Sequence, residues 1–166
     1  MTLVQHSLQV PVGEHSLHVR CISPALPLQA EPILMVHGAI ENGRIFYTES
    51  GKGLACFLAR HGYEVYVADL RGRGGSKPAI AERADHGQFE LITEDIPALQ
   101  RWIEARHPGH PVHWMAHSWG GVLMASTLAR FPELARQVAT LTFFGTKRSV
   151  SVQGPERWLK VDLVWN

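Results

Sequence analysis

Short, nearly unbroken apolar runs alternate along this chain with stretches whose apolar residues recur every three or four positions. That alternation predicts strands separated by helices. Ile33-Leu34-Met35-Val36 has the length of a fully buried strand, and Glu64-Val65-Tyr66-Val67-Ala68-Asp69-Leu70 reads as another. Val112-His113-Trp114-Met115-Ala116-His117 and residues 138–144 supply two more. Upstream, Leu8-Gln9-Val10 and residues 15–22 predict a hairpin around Pro11-Val12-Gly13. Its second arm alternates roughly, as an edge strand does. Residues 24–32 form a proline-punctuated loop.

Helices are expected between these strands. Residues 53–61 place Leu54, Phe57 and Leu58 on one face, with Gly62 as the stop. Residues 93–106 carry a buried stripe of Ile92, Ile96, Leu99 and Ile103. Thr93 is the expected cap there, Glu94 and Asp95 sit at the positive end, and Pro97 falls in the first turn. Pro108-Gly109-His110-Pro111 ends that helix. Residues 119–131 are apolar nearly all round from 122 to 128, which predicts a helix buried against a sheet. The chain has no internal repeat. The order implies an α/β fold with a mostly parallel, doubly wound sheet. Sites in such sheets lie beyond the carboxyl ends of the strands. Ser118, Ala39 and the glycine loop after Asp69 all fall there.

The stretch Ala116-His117-Ser118-Trp119-Gly120-Gly121 joins a strand to a helix and has the layout of a nucleophile elbow. A reversal within about one residue holds the serine at a strained φ and pushes its hydroxyl outward. The residues two before and two after pass close together, so they must be small, and Ala116 and Gly120 are. After the 33–36 strand come His37-Gly38-Ala39-Ile40, where Gly38 permits a tight loop with backbone N–H groups facing a site. After the 64–70 strand comes the glycine-rich turn Arg71-Gly72-Arg73-Gly74-Gly75-Ser76.

With these three motifs in this order, the chain resembles the first part of an α/β-hydrolase-fold protein of the esterase, lipase and peptidase type. The likeness runs from about residue 10 to residue 145, and departs from G-x-S-x-G only in having Ala116 at the first glycine position. It implies nucleophilic acyl transfer at Ser118 on a carboxylic ester or related acyl substrate, through an acyl-enzyme. The resemblance makes the backbone N–H groups of Trp119 and Ala39 the oxyanion hole. His37 is then a loop organiser rather than a base, beside Gly38. His117 lies on the opposite side of the strand turn from the Ser118 hydroxyl. His86 sits in a loop that reaches the site edge.

The resemblance places the triad acid and histidine after later strands. No histidine follows His117, and the acids after Ser118 are Glu133, Glu156 and Asp162, none matching the triad. The expectation is therefore a sheet truncated after its sixth strand, holding nucleophile and oxyanion hole but not acid and histidine. Residues 1–145 form the partial core and residues 146–166 begin a lid. Trp158, Leu159, Val161, Leu163, Val164 and Trp165 follow a helix start at Pro155. An open sixth-strand edge, or that terminal apolar helix, invites a homodimer. Two other readings stay open: another acyl-transfer or lyase chemistry, and a non-catalytic fragment or binding protein that self-associates through the open edge.

Composition narrows the picture further. At 166 residues, 45% hydrophobic and 19% charged, the chain fits one globular domain. A net charge of +1 gives no electrostatic case for nucleic acid, and the scattered arginines read as solvated surface. No apolar run approaches the ~20 residues of a membrane span, so stable membrane insertion is not expected. The first residues lack a signal-peptide pattern. The two cysteines, Cys21 and Cys56, fall in apolar segments and read as buried thiols. The cytoplasm is the expected location. The histidines lack metal-ligand spacing, most read as surface or loop residues, and Gly72-Arg73-Gly74-Gly75 lacks a full nucleotide fingerprint. Neither metal nor cofactor is expected.

Overall fold

Among the described residues, six strands join into one sheet in the order β1-β2-β4-β3-β5-β6. The computed structural model describes residues 2–25 and 31–149. β1 (Leu3–Val12) and β2 (His15–Pro24) form the opening hairpin. β3 (Pro32–Val36), β4 (Glu64–Ala68), β5 (Val112–His117) and β6 (Val138–Phe144) run parallel. The helices are α1 (Leu54–Arg60), α2 (Gln88–Glu90), α3 (Ile96–Glu104) and α4 (Trp119–Arg130).

Strand alternation splits the core into two layers. Leu34 and Val36 of β3 face one side with Tyr66, Trp114 and Ala116, and pack on Leu99, Ile103 and Leu123 of α3 and α4. Ile33 and Met35 face the other side with Val65 and Val67, and pack on Ala55, Cys56 and Ala59 of α1. Helices thus cover both faces of the sheet. The one polar atom of the buried Trp114 ring is satisfied, since its Nε1 donates to Gln100 Oε1 at 2.6 Å. Both cysteines are buried and unpaired with each other.

Several local expectations are corrected. β2 is not an edge, because it pairs with β1 on one side and β4 on the other. Its alternation reflects a helix-covered face opposite a polar one. The 93–106 helix starts earlier, at Gln88, where the Glu90 carboxylate accepts from the Gly87 N–H at 2.7 Å. Thr93 lies inside the helix, in a π-widened turn (Leu91–Asp95), and its hydroxyl donates back to Phe89 O at 2.8 Å. Glu94 and Asp95 meet Arg71 instead of a free helix end. Arg71 itself is buried, not solvated, and so is His15. Among the described residues α4 buries one face, through Leu123, Met124 and Thr127, while Ala125 and Ala129 are exposed. Among the described residues, no helix is long and apolar enough to cross a membrane. Residues 154–166, including Asp162 and the apolar segment after Pro155, lie outside the described residues.

Candidate active site

β5 runs into α4 through Ser118, whose φ of 50° and ψ of −119° make it the non-glycine residue with positive φ among the described residues. A side chain held there is strained by about 1–3 kcal/mol and persists only when its surroundings fix it. Three contacts do so. The Ser118 N–H donates to Phe144 O at 2.8 Å, at the end of β6. Its carbonyl accepts from the Thr146 hydroxyl at 3.1 Å and from the Gly121 N–H at 3.2 Å.

The small residues around the serine are required by contact. A Cβ on Gly120 would stand 2.5 Å from His37 O and 2.7 Å from Val36 O, both backbone atoms of β3 and its exit. Ala116 is fully buried and pairs with Val36. Its single methyl fits the first small position of the elbow. Gly38 comes nearest to Ser118: a Cβ there would lie 3.2 Å from the Ser118 Cβ. The β3 exit and the elbow are therefore in contact, and Ala39 follows directly, half-buried. The N–H groups of Ala39 and Trp119 donate to no other described residue. Trp119 opens α4, whose first N–H groups have no partner within the helix.

His37 is fully buried and uses both ring nitrogens. Nε2 accepts from the Leu70 N–H at 3.0 Å, so Nδ1 carries the proton and donates to Gly38 O at 2.7 Å. Burial holds its pKa below the ordinary histidine value, against the pull of the Gly38 carbonyl. The neutral ring ties the β3 exit to the β4 exit.

Glu41 belongs to none of the sequence motifs. Its Oε2 accepts from the Gly38 N–H and from His117 Nδ1, each at 2.8 Å. Burial works to raise its pKa, but the His117 and Gly38 bonds win and hold it low. Its position three residues past Gly38 is the only sequence signal for this contact. Glu41, Ile45, Phe46, Leu54, His117 and Phe144 line an open cavity of about 290 Å³ beside the elbow. His86 shares a smaller cavity of about 130 Å³ with Trp119 and Leu70, and its ring packs edge-on against His15, with centroids 5.7 Å apart.

The glycine loop after β4 is fixed by Asp69. Its carboxylate accepts from the Gly43 N–H at 2.6 Å and the Gly75 N–H at 2.9 Å. Two loops at the carboxyl edge are thereby held together by one buried acid.

A family profile for the alpha/beta hydrolase fold matches residues 31–162. Over 115 residues the chain is 24% identical to gastric triacylglycerol lipase of Rattus norvegicus, covering 65% of this chain and 29% of that one. A thioesterase domain from the curacin biosynthetic pathway superposes with a TM-score of 0.69 at 18% identity, covering 94% of this chain and 50% of that one. The 2-hydroxy-6-oxo-6-phenylhexa-2,4-dienoate hydrolase of Rhodococcus sp. strain RHA1 superposes with a TM-score of 0.65 at 16% identity, covering 93% and 51%. The chain thus spans about half the length of these solved structures and less than a third of the lipase. The ordered strands, the strained serine turn and the profile match agree: the chain belongs to the alpha/beta hydrolase fold family.

Proposed function

We propose that this chain carries the nucleophile and oxyanion hole of a serine hydrolase acting on a carboxylic ester or related acyl substrate. The observation that carries the reading is the positive φ of Ser118 at the β5–α4 junction, in contact with the Gly38-Ala39 loop. Ser118 Oγ would attack the acyl carbon, and the N–H groups of Trp119 and Ala39 would receive the developing oxyanion. Of the described histidines nearest the elbow, His37 uses both ring nitrogens, and His117, paired through Nδ1 with Glu41, makes no hydrogen bond to the Ser118 hydroxyl. The general base and its acid therefore come from elsewhere than this set. An oxyanion hole and binding alone still supply roughly 10³–10⁴-fold over water. A fluorophosphonate probe should accordingly label Ser118 slowly, but well ahead of the exposed Ser50, with Ser118→Ala removing that adduct on peptide mapping. Labelling of Ser118 no faster than Ser50 would sink the proposal.

β6 favours a second, compatible reading. Among the described residues it has β5 on one side only, and Leu141 and Phe144 are 46% and 41% exposed. An open apolar edge of this kind pairs with other strands. Light scattering on the 166-residue chain should show self-association that a Leu141→Lys change reduces. A monomer over the whole concentration range counts against it.

A further inference from the structure

Strand alternation gives the opening hairpin a polar face with chemistry of its own. Gln5, Ser7 and Gln9 of β1 share that face with Ser16, His18 and Arg20 of β2, and the antiparallel register sets Ser7 opposite Arg20. His18 lies two residues along, beside Ser7. Ser7 Oγ is 3.0 Å from His18 Nε2, and His18 Nδ1 is 2.8 Å from Asp69 Oδ2. An ionised carboxylate only accepts, so Nδ1 carries the ring proton and Nε2 is left to accept from the Ser7 hydroxyl. Arg20 Nη1 donates to the same Ser7 oxygen at 3.0 Å. The histidine and the acid are largely buried, with side chains 13% and 8% exposed, while Ser7 is exposed.

This array lines a cavity of about 400 Å³ together with Asn42, Arg44 and Tyr47, a volume suited to a small ligand. The site is separate from the elbow. The same loop sends Glu41, Ile45 and Phe46 to the cavity beside His117 and Asn42, Arg44 and Tyr47 to this one.

We propose that Ser7 is a second acyl-accepting hydroxyl, deprotonated by His18 and served by Asp69 as the group that orients the imidazole, for small activated esters entering this cavity. Ser7 Oγ forms a bond to the acyl carbon as its proton passes to His18 Nε2. The bond from that carbon to the leaving oxygen then breaks, and the imidazolium returns the proton to the departing alcohol or phenol. The products are an O-acyl serine and one molecule of alcohol. The Arg20 guanidinium donates to the Ser7 oxygen and favours its deprotonated form as the proton leaves, while the oxyanion itself forms on the acyl carbonyl oxygen.

The experiment uses p-nitrophenyl acetate on the 166-residue chain carrying Ser118→Ala, so its outcome is independent of the elbow. Phenolate release is followed together with peptide mapping, and neutral hydroxylamine separates serine esters from acetylated lysines. An acetyl ester on Ser7 is expected. His18→Gln keeps an N–H able to reach Asp69 but has no basic nitrogen, and should slow acetylation of Ser7 roughly 100-fold. A matching thermal melt keeps that loss separate from unfolding, and Ser7→Ala should remove the adduct. Acetylation of Ser7 at the same rate in His18→Gln, or no faster than at the exposed Ser50, overturns the proposal.

Discussion

Asp69→Asn is expected to destabilise this protein by about 3 kcal/mol at neutral pH and to flatten its loss of stability in acid. The carboxylate is nearly buried and accepts from three donors: the Gly43 N–H, the Gly75 N–H and the His18 ring. Hydrogen bonds to a charged group contribute about 1.5–3 kcal/mol each. An asparagine keeps one acceptor and turns an NH₂ group toward a fixed donor, so at least one of these bonds becomes a donor–donor clash. The acid effect follows from the same contacts. Burial alone would raise the Asp69 pKa, but the bonds from His18, Gly75 and Gly43 outweigh it and hold the folded value below 3.8. The stability this gives is fully present above the unfolded value near 3.8 and is lost as pH falls through the lower folded one. Urea titrations at pH 7 and pH 3 measure both effects. Parallel stability-versus-pH curves for the two proteins would show that Asp69 is not the sensor.

Removing one side of the Arg71–Asp95 pair has a comparable expected effect. Arg71→Met should destabilise by about 3–5 kcal/mol, the range for breaking a buried ion pair. The Arg71 side chain is 4% exposed and Asp95 is fully buried, with Nε and Nη2 of Arg71 at 3.0 and 2.5 Å from Asp95 Oδ1. Among the described residues Asp95 Oδ2 has no hydrogen-bond partner, so Arg71 is the main compensation for the carboxylate. Burial already lifts the Asp95 pKa, and the guanidinium is what opposes that rise. Glu94 also bonds Arg71, at 2.7 Å, but its side chain is half exposed and water can replace the arginine there. Arg71→Met with Asp95→Leu should recover most of the loss, because two apolar groups leave no charge uncompensated. Chemical denaturation of the single and double variants measures the coupling. A double variant as unstable as Arg71→Met would mean that packing around this arginine, rather than its charge, sets the effect.

What the chain revealed in advance depended on how local the cause was. The strand over Ile33 to Val36 and the helix after Ser118 declare themselves through their own periodicity. Ala116, Gly120 and Gly38 are legible because close approach between chain segments demands small residues, and it does so at fixed spacing. Contacts across the fold were illegible. The burial of Arg71 depends on a carboxylate 24 residues away, and that of His15 on the packing of a loop that carries His86. The helix start likewise rests on a contact. Thr93 has the chemistry of a cap, but Glu90 reaches back to Gly87 and secures an earlier turn. The apolar circumference of α4 does not say which side is covered, since apolar character records what a helix tolerates rather than what is present against it.

The bond from the Ser118 N–H to Phe144 O moors the strained serine turn to the outermost strand among the described residues. The aim of that hydroxyl is thereby hitched to the sheet margin. Whatever grips the rim also bears on that strained serine turn.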